Sequence, residues 1–95
     1  MAARVSWRLG GTYVVVENSP ARTGGHDRMR AGLNHLALHA GSRDDADALT
    51  AQAQRRGWSL LFPDRHPHAG GPDHYAAYLE DSDGFEVELV AHPHG

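Results

Sequence analysis

The stretch DSDGFEVELVA at residues 81–91 combines a turn with a strand whose two faces differ. The composition of residues 81–84 is typical of a turn. From Phe85 onward every second residue is apolar, which indicates a strand with one buried face. The opposite face carries Val90 and two carboxylates, those of Glu86 and Glu88. We therefore expect a strand over residues 85–91 that places two acidic side chains on one side of a sheet.

Three further strands and one helix are predicted upstream of this stretch. The strands span residues 33–39, 58–62 and 74–80, and the helix spans about residues 43–56. Together with the last strand, they give the order β-α-β-β-β. An irregular loop rich in Gly and Pro is expected over residues 63–73.

The helix has a start signal at its N-terminal end and a stop signal at its C-terminal end. Ser42 is a favourable N-cap, acidic residues fill the first turns, and Gly57 is a favourable stop. Ala46, Leu49 and Ala53 are spaced as an apolar stripe, which we expect to face the sheet.

The N-terminal part predicts a β-hairpin followed by a linker. Residues 4–9 alternate polar and apolar side chains, and residues 12–17 are mostly apolar and β-branched. Gly10-Gly11 between them is a two-residue turn signal. Residues 18–32 have no period and contain Pro20 and several glycines, so we interpret them as a linker.

Length and composition limit the classes of protein. The 95 residues, 10.3 kDa, suit one small α+β domain. The absence of cysteine excludes disulfides, zinc fingers and thiol catalysis, and the net charge of −3 argues against nucleic-acid binding. No run suits a membrane span or secretory signal, so we expect a cytoplasmic protein.

The charges are unevenly distributed along the chain. Residues 1–43 carry six arginines and two acidic residues, whereas residues 44–95 carry three arginines and ten acidic residues. This asymmetry predicts two complementary parts, either of one fold or of two chains.

One imidazole and one carboxylate form a candidate metal site. His35 and Glu88 lie on the first and last strands of the β-α-β-β-β unit, and a cupped sheet could bring them together. Imidazole plus carboxylate suits Zn, Mn, Fe, Co or Ni. In the alternative, Glu86 and Glu88 face solvent and His35 is a hydrogen-bonded core residue.

Two further groups have open roles. His66, His68 and His74 cluster around the loop over residues 63–73, and could form a second metal site, part of a lid, or ordinary exposed loop. Tyr75 and Tyr78 lie on opposite faces of one strand, so at most one can line a cavity.

Two segments carry a resemblance to a known family. GLNHLAL at residues 32–38 and DSDGFEVELV at residues 81–90 resemble the second module of the vicinal oxygen chelate superfamily. This superfamily includes glyoxalases, extradiol dioxygenases, and fosfomycin- and bleomycin-resistance proteins. The similar segment covers about residues 30–92, and the family turn has Pro where this chain has Ser82.

The resemblance implies a glyoxalase-like fold. Residues 33–91 would be a complete βαβββ module forming half of a curved eight-stranded pseudo-barrel, and residues 1–17 the end of an incomplete first module. His35 and Glu88 would match the family's metal ligands, whereas Val15 occupies the corresponding position of the first module and cannot bind metal. A second copy in a homodimer would supply the missing half, with two His35 and two Glu88 at one centre; otherwise the chain is a remnant or has a misassigned start.

The resemblance also implies a function. A divalent metal ion would chelate two adjacent oxygens of a small oxygenated metabolite, in a lyase, isomerase or dioxygenase, and Glu88 or Glu86 would move the proton. The alternative is a metal-free drug-binding dimer of the bleomycin-resistance type. A third possibility is a half-barrel interaction module without chemistry.

Overall fold

A computed structural model describes residues 3–9, 12–18 and 24–93, the first two ranges by their backbone alone. It contains a hairpin followed by a β-α-β-β-β unit, so the predicted α+β class and element order are confirmed. The elements are β1 (Ala3–Leu9), β2 (Thr12–Asn18), β3 (His35–Gly41), α1 (Arg43–Arg55), β4 (Ser59–Leu60), β5 (Ala76–Glu80) and β6 (Glu86–Ala91).

The N-terminal strands β1 and β2 form the predicted antiparallel hairpin. Their pairing runs from Ala3 opposite Asn18 to Leu9 opposite Thr12. The predicted turn at Gly10-Gly11 lies outside the described residues, as do residues 19–23 of the predicted linker. Residues 24–34, the described remainder of that linker and the approach to β3, contain no helix or strand.

The other four strands form one mixed sheet in the order β3-β6-β5-β4. β3 runs parallel to β6, and the remaining neighbours are antiparallel. A parallel pair needs a long crossover connection, which here contains α1, β4 and β5. The first and last strands of the unit are therefore neighbours in space, although about fifty positions separate them along the chain.

The ends of α1 are formed as the sequence predicts. The Ser42 hydroxyl accepts a hydrogen bond from the Asp45 amide at 3.1 Å, and the Asp45 carboxylate accepts one from the Ser42 amide at 3.1 Å. This capping box satisfies backbone donors that the first turn would leave without partners. Gly57, just beyond the helix, has φ +98°, which only glycine adopts without strain.

The buried face of α1 differs from the predicted stripe. Ala46 and Thr50 are buried, Ala53 is half-buried, and Leu49 is 38% exposed. The core contacts at this face are made by small residues, Ala46 of the helix with Ala40 and Ala91 of the sheet. Thr50 is tolerated there because its hydroxyl donates to the Ala46 carbonyl at 2.7 Å.

Three strands have bounds that differ from the prediction: β3 is shifted by two residues, and β4 and β5 are shorter. β3 begins at His35, because the Asn34 side chain instead donates to the Arg28 carbonyl in the preceding segment. β4 ends at Leu60, shortly before Phe62, whose φ of +53° is incompatible with a strand. β5 begins at Ala76, since His74 belongs to a turn in which its amide donates to the Gly71 carbonyl.

The predicted turn before β6 is confirmed. The Asp81 carboxylate accepts hydrogen bonds from the amides of Asp83 and Phe85, at 3.0 and 2.9 Å. Gly84 has φ +86°, as a left-handed turn position requires.

None of the described helices is long and apolar enough to cross a membrane. The expected cytoplasmic location stays a prediction.

We predict that Leu79→Ala lowers the free energy of unfolding by about 2–5 kcal/mol, because Leu79 is the largest fully buried side chain among the described residues. Urea denaturation followed by circular dichroism measures the change. Leu49→Ala is the matched control, with an expected loss of less than about 1 kcal/mol since that leucine is partly exposed. Equal losses in the two variants would contradict this account of the core.

Candidate functional site

The face of the sheet opposite α1 carries the polar side chains. Register places Tyr78 of β5 and Ala37 of β3 on either side of Glu88 in β6. His35 lies two residues before Ala37 and therefore on the same face. The alternation predicted from residues 85–91 thus brings the predicted metal ligands onto one surface, on neighbouring strands.

Glu88 is the centre of this surface. Glu88 is only 6% exposed, and both of its carboxylate oxygens have hydrogen-bond partners. His35 Nε2 lies 3.1 Å from Oε1, and His74 Nε2 is hydrogen-bonded to Oε2. Glu86 is also buried, so neither acidic side chain of β6 faces open solvent.

The orientation of the His35 ring is determined by Asn34. The Asn34 amide nitrogen donates to the Arg28 carbonyl at 3.1 Å, which leaves its side-chain oxygen as an acceptor. That oxygen lies 2.7 Å from His35 Nδ1, so Nδ1 carries the proton. In the neutral ring, Nε2 then directs a lone pair toward the Glu88 carboxylate. This pair of acceptors needs a positive charge between them, from a proton or from a metal ion.

His74 joins the site from the loop before β5. The chain passes very close to it, because a Cβ added at Gly70 would lie 2.6 Å from the His74 ring and 2.6 Å from the Tyr78 hydroxyl. Of the three loop histidines, His74 alone contacts Glu88, while His68 Nδ1 contacts the His74 carbonyl at 3.2 Å. Sequence reasoning placed His74 in a loop cluster and did not connect it to Glu88.

The two tyrosines separate as the strand alternation predicts. The Tyr75 hydroxyl donates to Asp47 of α1 at 2.7 Å, on the far side of the sheet. Tyr78 lies on the site face, edge-on to the His35 ring at 6.2 Å between ring centres. Burial and then the negative charge of Glu88 raise the pKa of Tyr78, so its hydroxyl keeps its proton at neutral pH.

The two histidines determine the charge state of Glu88. Burial alone would raise the pKa of Glu88, but hydrogen bonds from His74 and His35 outweigh it and hold the pKa below its usual value near 4.5. The carboxylate is therefore ionised throughout the physiological range.

Glu86, the other predicted catalytic carboxylate, lies on the same face but has a different partner. Arg28 Nε donates to Glu86 Oε1 at 3.0 Å, and the same guanidinium pairs with Glu80. Glu86 lies opposite His35 in the strand register, but its carboxylate forms an ion pair with Arg28 of the segment that precedes β3.

The arrangement of donors is not a finished metal site. In the described part of the chain, no three His, Cys, Asp or Glu side chains are disposed to hold a metal ion.

Comparison with known proteins identifies the family. A family model of the glyoxalase/bleomycin resistance protein/dioxygenase superfamily matches residues 9–89, most of the chain. This protein belongs to that superfamily. The resemblance carried by residues 32–38 and 81–90 is thereby confirmed.

This chain spans about two thirds of the length of two similar proteins. The uncharacterized Bacillus subtilis protein YqjT is 43% identical over 89 residues, which are 92% of this chain and 70% of that protein. A glyoxalase candidate from Bacillus halodurans has a crystal structure that superposes with a TM-score of 0.78, at 46% identity, over 92% of this chain and 67% of that one.

A more distant structure agrees in fold alone. A glyoxalase/bleomycin resistance protein from Albidiferax ferrireducens has a TM-score of 0.69 at 22% identity, over 95% of this chain and 69% of that one. The superfamily fold is therefore supported by both near and remote relatives.

We predict that His74→Ala raises the pKa of Glu88 in metal-free protein, because the variant removes the hydrogen bond that lowers that pKa most. Carboxyl-detected NMR titration measures it. A lowered folded-state pKa stabilises the protein above the unfolded value, and this stability is lost as the pH falls through the folded pKa. The variant should therefore lose less stability on acidification than the wild type. His68→Ala is the control and should leave both quantities unchanged; an unaltered Glu88 titration in His74→Ala would refute the assignment.

Proposed function

We propose that this protein binds a divalent metal ion through His35 and Glu88 and acts on a small oxygenated metabolite whose two adjacent oxygens reach the same ion. The reaction would be that of a lyase, isomerase or dioxygenase. The superfamily membership supports the broad class, and the chemistry of the residues on the site face supports the role of these two side chains.

One observation carries the proposal: a ring nitrogen of His35 and a carboxylate oxygen of Glu88 face each other across a short gap. His35 Nε2 and Glu88 Oε1 are 3.1 Å apart, with the ring held by Asn34, and either a proton or a metal ion can lie between them. Two ligand atoms on a tetrahedral zinc ion lie about 3.4 Å apart at usual bond lengths. The donor pair therefore suits a shared cation in both chemistry and spacing, with Asn34 as the outer partner that orients the histidine.

The remaining residues have separate tasks in this proposal. The ion, when bound, supplies Lewis-acid stabilisation of a developing oxyanion. Glu88 stays ionised and is the first candidate for proton transfer; Glu86 is the second, although its ion pair with Arg28 stabilises its charged form. His74 can hold or release a proton at the second Glu88 oxygen. Tyr78 donates its hydroxyl proton in hydrogen bonds to substrate oxygen.

A second copy of the chain would complete the site. His35 and Glu88 are two ligands, whereas zinc in catalytic sites usually has three from protein. β3 is an edge of the four-stranded sheet, and an edge strand offers backbone groups for pairing. We therefore propose a homodimer in which facing modules build the pseudo-barrel and share the metal-binding region.

We predict that His35→Ala abolishes bound metal, because it removes one of two proposed ligands, and that His39→Ala retains it. His39 is a matched control: it lies on the same strand and face as His35 but is exposed. Metal content per chain, measured by mass spectrometry after dialysis against zinc or manganese, checks the prediction. Retention of metal in His35→Ala would contradict the assignment of His35 as a metal ligand.

We predict a molecular mass in solution of two chains, near twice 10.3 kDa, because a single module leaves the site face and the β3 edge uncovered. Light scattering coupled to size exclusion measures the mass. A monodisperse monomer would be incompatible with completion of the site by a second copy.

A metal-free small-molecule binder of the bleomycin-resistance type is the second candidate. The observation that favours it is that His35 and His74 between them occupy both oxygens of Glu88, so that the buried charge has partners without an ion. In this case His35→Ala should leave ligand affinity almost unchanged, whereas in the metal-dependent case it should weaken it strongly.

A further inference from the structure

A cavity of about 500 Å³ opens beside the site, on the same face of the sheet. Its size is within the range of small-molecule sites. Tyr78 belongs both to its wall and to the surroundings of Glu88. The other residues that matter for its chemistry are Arg28, Met29, Phe62, Arg65 and Glu86.

The two arginines of this cavity differ in their availability. Arg28 is already paired with Glu80 and Glu86, which together outweigh its charge. Within residues 24–93, no carboxylate lies within ion-pair distance of Arg65. Among these described residues, the cavity thus has a cation without an acidic partner at the Arg65 end and excess negative charge around Arg28. This polarity would orient an anion with its charge at Arg65.

A turn positions Arg65 above an aromatic ring. The Arg65 amide donates to the Phe62 carbonyl at 3.0 Å, and Arg65 Cζ lies 4.8 Å from the centre of the Phe62 ring. A guanidinium held in this way presents its planar edge, the geometry that suits a carboxylate.

Phe62 itself is unusual in two ways. Its backbone has φ +53°, a strained region for a bulky residue, and its side chain is exposed although large and apolar. The ring stands edge-on to Tyr78 at 5.8 Å between centres, so the two aromatic rings form one wall. Strain and exposure at the same wall residue indicate a surface built for contact with an apolar group.

We propose that this cavity binds a planar organic anion, an aromatic carboxylate being the simplest case, with its carboxylate on Arg65 and its flat body against Phe62 and Tyr78. The proposal rests on the proposed function only in one respect: the reacting oxygens of the substrate would extend past Tyr78 toward Glu88. It defines the substrate class as anionic and flat.

The test uses benzoate as the probe, its neutral counterpart benzamide, and acetate, which has the charge without the ring. NMR titration of the full chain should give saturable binding of benzoate, with benzamide and acetate weaker by about tenfold or more. Arg65→Gln should weaken benzoate binding by a similar factor and leave benzamide unchanged. Arg55→Gln, at the exposed end of α1, is the matched control and should bind benzoate as the wild type does.

A second variant separates binding from folding. Phe62→Gly removes the ring but relieves the backbone strain, so it should lower benzoate affinity without lowering the thermal midpoint of unfolding. Equal affinity for benzoate and benzamide, or unaltered benzoate affinity in Arg65→Gln, would overturn the proposal.

The outcome is independent of the metal assignment. Arg65→Gln should keep the metal content of the wild type, and His35→Ala should keep its benzoate affinity. Loss of metal binding in His35→Ala with no benzoate binding in any form would leave the proposed function standing and remove the anion cavity. Retention of metal in His35→Ala, together with benzoate binding that depends on Arg65, would contradict the metal assignment and support the anion cavity.

Discussion

A buried carboxylate is the constraint on which the site depends. Glu88 is almost fully removed from solvent, and an ionised carboxylate in such a place is costly unless partners compensate it. Two histidines supply that compensation from opposite directions, one on a neighbouring strand and one in a loop. The loop at Gly70 approaches this group so closely that a side chain there would collide with the His74 ring.

The parallel pairing of β3 with β6 makes this arrangement possible. It sets the first strand of the unit beside the last, so that a histidine and a glutamate far apart in the chain share one face. The helix covers the other face through small residues such as Ala46, which leaves the polar face free for chemistry. A fold of this kind separates the residues that stabilise the protein from those that would bind a ligand.

The uneven charge distribution has a structural counterpart within one chain. Arg28, from the arginine-rich N-terminal part, pairs with Glu80 and Glu86 of the acidic C-terminal part. These contacts tie the segment before β3 to the polar face of the sheet. They also place one positive charge beside Glu86, which reduces its repulsion with Glu88 on the same face.

Local rules accounted for the elements that local chemistry forms. The capping box at Ser42, the turn at Asp81 and the alternation along β6 each depend on residues within a few positions of one another, and all three were predictable. The prediction for the apolar stripe of α1 was wrong at Leu49, which is partly exposed. Periodicity identifies the apolar side of a helix, but it does not show which residues on that side contact the sheet.

The sequence by itself determined the order β-α-β-β-β, the hairpin before it, and the face of β6 that carries two carboxylates. Which side chains meet Glu88 was decided only by the tertiary structure. His74 contacts Glu88 from a loop whose sequence has no periodic pattern. The position of α1, which binds Tyr75, determines that Tyr78 and not Tyr75 lies on the face with Glu88. The physical reason is that strand alternation and capping act over a few residues, whereas the partners of a buried charge are selected by packing between segments distant in the chain.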